Sequence, residues 1–261
     1  MVEAKDVSAH IGGSILLDSV SLSVAGGEMV ALIGANGAGK STLLRVISGE
    51  LRPQAGQARL KGKDIAAYRP RELAAHRAVM AQSVTISFPF TVREVVQMGG
   101  GDRSASSVAA MVDEALDAVD LSHLEHRVIT TLSGGEAQRA HFARLMVQTR
   151  CGEGEHGAGA ILLDEPTEGL DLRHQLDLLK LAQGCAARGA AVIAVLHDLN
   201  LATFFAKRIV MLENGTIAAD GPARETMTDA MLERVFRIRS AVGRMPPEGT
   251  PFVLPHRIET R

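Results

Sequence analysis

A glycine-rich stretch, GANGAGKST, covers residues 34–42 and directly follows a short apolar run, EMVALI, at residues 28–33. Small residues let the backbone approach an anion closely, so that several N–H groups point at it together. A glycine, four residues, a glycine, a lysine and a serine is the spacing of a loop that cradles the phosphates of a nucleoside triphosphate. The candidate phosphate-binding residues are Gly34, Ala35, Asn36, Gly37, Ala38, Gly39, Lys40, Ser41 and Thr42.

Lys40 and Ser41 carry the side chains that this chemistry needs. The lysine ammonium would reach the β- and γ-phosphates, and the serine hydroxyl would ligate Mg²⁺. A helix that begins near Lys40 would add the positive end of its dipole. A flexible glycine turn before a helix is the alternative, but it does not account for the apolar run before the loop or for the Lys-Ser pair.

Two adjacent carboxylates, Asp164 and Glu165, follow a second apolar run, AILL, at residues 160–163. Open α/β sheets place their ligands at the carboxyl ends of the strands. Asp164 suits Mg²⁺ binding, directly or through water, and Glu165 suits polarisation of the attacking water. An acidic turn before Pro166 is the alternative, and the phosphate loop upstream makes it the weaker one.

Residues 132–136, LSGGE, combine a helix cap with two glycines that a cap does not need. Ser133 and Glu136 have the spacing of a capping box. Gly134 and Gly135 would lie in the first helical turn, where each costs about 1 kcal/mol relative to alanine. The glycines therefore indicate that another group contacts the backbone there, and an anion is the group that a helix N-terminus binds.

The elements that must position these residues alternate between strands and helices. Apolar alternation at residues 16–24 predicts a half-buried antiparallel strand, and apolar runs predict buried strands at 28–33, 161–164 and 191–196. Helices are predicted from about Lys40 to Ser48, over 106–120, after Ser133, and over 170–189. The order predicts an α/β fold with a mostly parallel sheet.

Three further segments have a less regular pattern of apolar residues. Asn214-Gly215 predicts the turn of a hairpin over 208–219. Residues 150–160, RCGEGEHGAGA, have four glycines and no apolar period, which predicts a solvated loop. The proline-rich last twenty residues are expected to form a tail.

Composition narrows the classes of function. The 261 residues are 46% hydrophobic, which is enough for a core, and the formal net charge is −2 with no long basic run. This balance argues against a nucleic-acid partner held by charge. Cys151 and Cys185 form no CxxC pair, so neither a disulfide framework nor a zinc site is expected, and a reducing cytoplasm fits. No signal peptide is expected, and no apolar run approaches the roughly 20 residues that span a bilayer.

The stretch TLSGGEAQRAHFARLMV, residues 131–147, resembles the signature motif of the ABC (ATP-binding cassette) ATPases. The family's other motifs stand in the same order, which makes the resemblance specific, and it extends to about residue 235. They are a Walker A loop at 34–42, a Q-loop glutamine at Gln82, a Walker B strand at 160–165, a D-loop at 168–171 and a switch histidine at His197.

This resemblance implies an architecture. A P-loop core with an antiparallel β part would comprise 1–83 and 156–239, an inserted helical signature subdomain 84–155, and a tail 240–261. Two copies would pair head to tail, with each ATP between Lys40 of one copy and Ser133 of the other.

The same resemblance implies roles for the remaining motif residues. Gln82 would contact Mg²⁺ and sense a membrane partner, His197 would hold the γ-phosphate and the attacking water, and Asp171 would cross the dimer interface. The family stacks an aromatic ring on adenine, but the aligned residue here is Ile11, with His10 as the candidate substitute.

One ATPase core with a modest helical insert is the pattern of importer subunits. The stretches FPFTVREVVQMG, LDLRHQ and GTPFVLPH resemble the haem importer ATPases, within the group that imports iron-siderophores, haem and cobalamin. The resemblance implies a homodimer that uses ATP and Mg²⁺ at the cytoplasmic face of a bacterial inner membrane. It would lie beneath permease subunits, with a periplasmic haem-binding protein acting indirectly and no nucleic acid involved.

Alternatives to haem import stay open. Siderophore or cobalamin import is one, and a soluble ABC ATPase acting on DNA or ribosomes is one of another class. Phe88 and Phe90 fit either a permease groove or ordinary core packing. Four histidines without metal spacing are expected on the solvated surface rather than as haem ligands, namely His123, His126, His156 and His174.

Overall fold

The computed structural model describes residues 1–82, 88–239 and 242–255, apart from the side chain of Ile11. Its strands are β1 Val2–Ile11, β2 Ser14–Val24, β3 Met29–Gly34, β4 Ala55–Leu60, β5 Lys63–Asp64, β6 Arg77–Met80, β7 Ala160–Asp164, β8 Ala191–Val195, β9 Arg208–Glu213 and β10 Thr216–Pro222. Its α-helices are α1 Lys40–Ser48, α2 Pro70–His76, α3 Val92–Gln97, α4 Ala105–Ala118, α5 Gly134–His156, α6 Leu172–Ala187, α7 Leu199–Phe205, α8 Ala223–Thr226 and α9 Asp229–Phe236.

The strands form two sheets. Six of them have the order β10-β9-β3-β8-β7-β6, and all neighbours in this sheet are parallel except β9 and β10. The other four form an antiparallel sheet with the order β2-β1-β4-β5. The predicted α/β fold with a mostly parallel sheet and an N-terminal antiparallel part is therefore confirmed.

Strand β3 shows how the larger sheet separates two cores. All six of its residues are buried, and successive side chains point to opposite faces. Ala31 and Ile33 belong to the core that includes residues of α3 to α6, whereas Val30 and Leu32 belong to the core with α1 and the four-stranded sheet. The fully apolar strand is thus the expected sequence of a strand covered on both faces.

The prediction of a loop at residues 150–160 is wrong for 150–156, because α5 continues through His156, and a loop is left only between α5 and β7. A Cβ atom on Gly152 would lie 2.2 Å from the carbonyl oxygen of Ala75, at the end of α2. Gln148, one turn earlier, donates from Nε2 to the carbonyl oxygens of Ala74 and Arg77 at 2.9 and 3.1 Å. The glycine that weakens the local helix pattern therefore allows the close packing that stabilises the helix.

Helix α3 is an element that the sequence pattern does not predict. Thr91 and Glu94 form a capping box at its N-terminus, and Val92, Val95 and Val96 are buried. Its six residues are too few for a clear period of 3.6, and valines favour strands, so packing decides the conformation. None of the helices in the described ranges is long and apolar enough to cross a bilayer.

Candidate nucleotide site

The phosphate-loop candidate joins the carboxyl end of β3 to the N-terminus of α1. Gly37 and Gly39 have φ of 78° and 103°, a conformation that glycine adopts without strain. A Cβ atom on Gly39 would lie 2.5 Å from the carbonyl oxygen of Leu16, so only glycine fits where the antiparallel sheet meets the loop. Nothing lies within 4 Å of a Cβ atom placed on Gly37, which leaves that part of the backbone open to a ligand.

Lys40 is folded onto its own loop. The side chain is buried, and Nζ donates to the carbonyl oxygens of Gly34 and Ala35 at 2.9 and 3.0 Å. Burial lowers the pKa of Lys40, and the nearby carboxylates of Glu165 and Asp164 oppose that effect. The ammonium therefore holds the loop closed and lies beside the place where phosphates would add negative charge.

Asp164 links the end of β7 to the start of α1. Its Oδ1 accepts a hydrogen bond from Oγ of Ser41 at 3.1 Å. Burial raises the pKa of Asp164, while the hydrogen bond from Ser41 lowers it. A hydroxyl and a carboxylate oxygen at this separation are hard oxygen ligands of the kind that Mg²⁺ prefers.

Glu165 is held between two side chains from different segments. Its Oε1 lies 2.6 Å from Nε2 of His197, and its Oε2 accepts a hydrogen bond from Nε2 of Gln82 at 3.0 Å. The backbone of Glu165 has φ of 53°, an uncommon conformation for a residue with a side chain, and its carbonyl oxygen accepts from Nε2 of Gln138 at 3.3 Å. The carboxylate is therefore held in direction by contacts within the protein.

A cleft of about 710 Å³ joins these groups. Among the residues predicted from the sequence, those that line it are Asn36, Gly37, Gly39, Lys40, Ser41, Thr42, Gln82, Glu165 and His197. Gly34 and Ala35 contribute the carbonyls that bind Lys40, and Ala38 is buried behind the loop.

The glycines after Ser133 are not among the described residues that line this cleft. Ser133 caps α5: its Oγ donates to Oε2 of Glu136 at 2.8 Å, and the backbone N–H of Ser133 donates to the same oxygen at 2.7 Å. These hydrogen bonds lower the pKa of Glu136. Nothing lies within 4 Å of a Cβ atom on Gly134, whereas one on Gly135 would be 3.1 Å from the carbonyl oxygen of Gly169. None of Ser133, Gly134 and Gly135 is among the described residues that line the cleft.

Comparison with known proteins gives a family match over the segment that contains the phosphate loop and the two carboxylates. Residues 17–168 match the family model described as ABC transporter. The chain belongs to the ABC transporter family. It is therefore a nucleotide-binding ATPase of that family, as the resemblance implied.

Relatives of this ABC transporter chain match it over nearly its whole length. One is "Hemin import ATP-binding protein HmuV" of Rhodopseudomonas palustris (strain BisA53), 54% identical over 259 residues, which is 99% of this chain and 96% of that protein. A second, of the same name, comes from Bradyrhizobium diazoefficiens and is 56% identical, covering 98% of this chain and 94% of that protein.

Solved structures agree with the fold of the ABC transporter chain. "Structure of ATP binding subunit of ABC transporter" is similar with a TM-score of 0.77 and 25% identity, over 92% of this chain and 95% of that one. "Dimeric Structure of MJ0796, a Bacterial ABC Transporter Cassette" is similar with a TM-score of 0.75 and 25% identity, over 86% of this chain and 99% of that one.

Several residues of the cleft were not singled out from the sequence. Gln175 donates from Nε2 to the carbonyl oxygens of Leu170 and Thr167 at 3.1 and 3.3 Å, so it fixes the D-loop of this ABC transporter cassette. Asp198 caps α7 by accepting from the backbone N–H groups of two residues after it. Gln175 lies four residues after the predicted Asp171, and Asp198 directly follows the predicted His197, so closeness in sequence was the available signal.

Asp171, the D-loop residue, caps α6. Its Oδ1 accepts from the backbone N–H of His174 at 2.9 Å and lies 2.9 Å from Nδ1 of the same residue. These hydrogen bonds lower the pKa of Asp171, whose side chain stays 66% exposed. His174 is only 22% exposed, so the expectation of a solvated surface histidine is wrong for it, whereas His126 is 84% exposed as expected.

The two phenylalanines after Gln82 have different environments. Phe88 is 69% exposed, whereas Phe90 is partly buried against the core. Core packing therefore accounts for Phe90, whereas the exposed ring of Phe88 leaves the permease groove open as its role. The adenine-stacking position, Ile11, lies outside the described side chains, and His10 is exposed.

Proposed function

We propose that this chain is the ATP-hydrolysing subunit of a bacterial importer that takes up haem through a membrane permease. The observation that carries the reaction is the carboxylate of Glu165, held between Gln82 and His197 at the edge of the phosphate-loop cleft. Support for the cargo comes from relatives named for hemin import, which are 54% and 56% identical over nearly the whole chain.

The phosphate loop binds and orients ATP. Backbone N–H groups of residues 35–41 and the N-terminus of α1 surround the phosphates, and Lys40 exchanges its contacts with two loop carbonyls for contacts with the β- and γ-phosphates. Because Lys40 is already buried in the cleft, this exchange needs little movement of the chain.

Mg²⁺ fits the oxygen atoms that line this edge of the sheet. The hydroxyl of Ser41 and the carboxylate of Asp164 are adjacent, and Gln82 uses its Nε2 on Glu165, which leaves its Oε1 for a cation. No group of three metal-ligating His, Cys, Asp or Glu side chains exists in the described ranges, which suits an ion held mainly by phosphates and water. Bound there, Mg²⁺ would neutralise charge on the phosphates.

Glu165 positions the attacking water and accepts its proton as the water attacks the γ-phosphorus. His197 lies on the other side of the carboxylate and contacts the γ-phosphate, so the two side chains fix the water in line with the bond that breaks. The bond between the γ-phosphorus and the oxygen of ADP breaks, and inorganic phosphate forms.

A second copy completes the site. Ser133 and Gly134 are exposed and do not line the chain's own cleft, and the Asp171 side chain is 66% exposed, so head-to-tail pairing would bring these groups to the partner's ATP. In this arrangement, 1–83 and 156–239 form the ATP-binding core, 84–155 the signature subdomain, and 240–261 the tail. The dimer lies peripherally at the cytoplasmic face of the inner membrane, bound to permease subunits that receive haem from a periplasmic binding protein.

A growth test checks this proposal. Cells that lack this chain are given haem as the only iron source and are complemented with wild type, with Glu165→Gln, or with Glu114→Gln, which changes a carboxylate on the outer face of α4. We expect growth with wild type and Glu114→Gln only.

Other outcomes separate the alternatives. Growth of the deleted cells on haem, together with failure on a siderophore or on cobalamin-dependent medium, contradicts haem as the cargo. Unchanged uptake of all three cargoes, with a defect in translation or DNA repair, would favour a soluble ABC ATPase instead.

A further inference from the structure

A small cavity lies between α6 and the C-terminal end of α4, next to the signature helix α5. Its lining includes His174, Asp177 and Leu178 of α6, Arg139 of α5 and Asp120 after α4. The cavity is about 30 Å³, which is enough for one water molecule and too small for a larger ligand.

His174 turns one ring nitrogen towards Asp171 and leaves the other without a partner. Nδ1 lies 2.9 Å from Oδ1 of Asp171, and a carboxylate oxygen only accepts, so the proton of a neutral ring is on Nδ1. Nε2 is then an acceptor, and it is buried with no hydrogen-bond partner among the described protein atoms. A buried polar atom of this kind normally has a partner, in the protein or in ordered water.

Arg139 lines the same cavity and also carries a buried donor. Its Nη1 donates to the carbonyl oxygens of Val119 and Asp120, at 2.6 and 3.0 Å, which anchors the side chain to the end of α4. Its Nε is a donor, and it is also buried without a partner among the described atoms. Because both residues line a cavity that has room for one water, such a water would accept from Nε of Arg139 and donate to Nε2 of His174.

We propose that His174 is a positioning residue for the D-loop carboxylate of Asp171, and that one buried water joins His174 to Arg139 of the signature helix. The inference rests on the proposed function, in which Asp171 crosses to the partner copy. The chain of contacts Arg139, water, His174 and Asp171 connects the signature helix to the D-loop of the same protomer. A tilt of α5 on closure of the dimer would therefore turn the Asp171 carboxylate with it.

The tautomer of His174 is the first test, and it needs no activity. Long-range ¹⁵N–¹H correlation spectra of the full chain, labelled on histidine, give the protonated nitrogen of each ring, and His174→Asn assigns the signal. We expect the proton on Nδ1, and a shift of the Nε2 signal in Arg139→Lys, which keeps the positive charge but lacks Nε–H. A proton on Nε2 with Nδ1 bare, or an unchanged Nε2 signal in Arg139→Lys, overturns the water link.

Paired substitutions then test the role in catalysis. The amide nitrogen of His174→Asn stands in the place of Nδ1 and keeps the contact with Asp171, whereas the amide of His174→Gln reaches the place of Nε2 and loses that contact. The backbone cap of α6, from the N–H of His174 to Asp171, persists in both, so the fold is kept. We expect about a tenfold lower kcat for His174→Gln and His174→Ala, about threefold for His174→Asn, and KM for ATP unchanged within about twofold.

Controls separate positioning from stability and from the proposed function. His126→Asn, at an exposed histidine, should match wild type, and the melting temperatures should agree across the series. Unchanged kcat in His174→Ala, or equal losses for Asn and Gln with lower melting temperatures, contradicts positioning. A wild-type chain that hydrolyses no ATP would instead contradict the proposed function, and the tautomer result would still be valid.

Discussion

Among the described residues, the N-termini of α1 and α5 both carry glycines, and they differ in how many candidate site residues surround them. The N-terminus of α1 faces a cleft of about 710 Å³ that also contains Glu165 and His197. The N-terminus of α5 follows Ser133 and faces solvent, with Gly134 open to any approaching group.

Their polar groups are also satisfied differently. At α1, the cation Lys40 covers two carbonyl oxygens and can turn to a phosphate. At α5, the carboxylate of Glu136 already accepts from the hydroxyl and the N–H of Ser133, so an arriving phosphate must compete with a negative charge. Under the proposed function, α1 would therefore bind ATP by itself, whereas α5 would meet only an ATP that another copy already holds.

Lys40→Ala is expected to have the largest effect, and only at the α1 site. Loss of a charge-assisted contact to the phosphates should weaken ATP binding about 100-fold in calorimetry. Lys61→Ala is the matched control, because Lys61 donates to the carbonyl oxygens of His156 and Gly157 outside the cleft. Unchanged ATP affinity in Lys40→Ala would refute the assignment of the α1 loop as the phosphate site.

Gly152→Ala tests whether the signature helix is fixed at its far end. The added Cβ atom would meet the carbonyl oxygen of Ala75 at 2.2 Å, so the free energy of unfolding should fall by about 2 kcal/mol. At Gly154, in the same helix, nothing lies within 4 Å, and Gly154→Ala should raise it by up to about 1 kcal/mol. Equal effects of the two substitutions in denaturant unfolding would mean that α5 does not pack on α2 as described.

Gly134→Ala should have a smaller effect, and only on the assembled site. Since nothing lies within 4 Å of the added Cβ atom, melting temperature and ATP affinity of the monomer should be unchanged. A methyl group between the α5 N-terminus and a partner's γ-phosphate should lower the steady-state ATPase rate about tenfold. A loss of ATP affinity in the monomer would place Gly134 in the chain's own site and would contradict the comparison.

Local chemistry made part of the molecule predictable from the sequence. The phosphate loop, the Ser133 cap and the Asn214-Gly215 turn each depend on a few adjacent residues, and the structure has all three elements. The buried strands β3, β7 and β8 were equally clear, because parallel strands covered on both faces are continuous apolar runs.

Contacts between distant segments decided the rest. The extension of α5 depends on the carbonyl of Ala75, about eighty residues before Gly152 along the sequence, so no local pattern reports it. The same is true of His174. Its low exposure depends on the helices that surround it, and the sequence around it gives no sign that it is partly buried. Glu165 was predicted from its position after a strand, but its contacts with Gln82 and His197 required the assembled sheet.

Glu165→Gln offers the most direct test that two copies share each ATP. The substitution removes the group that accepts the proton from water and should lower hydrolysis by at least about 100-fold, so bound ATP persists. With saturating Mg-ATP, light scattering after size exclusion should give a dimer for Glu165→Gln and a monomer for the double variant Glu165→Gln with Ser133→Glu. A monomer for Glu165→Gln, or a dimer that Ser133→Glu leaves intact, would contradict a site built from Lys40 of one copy and Ser133 of the other.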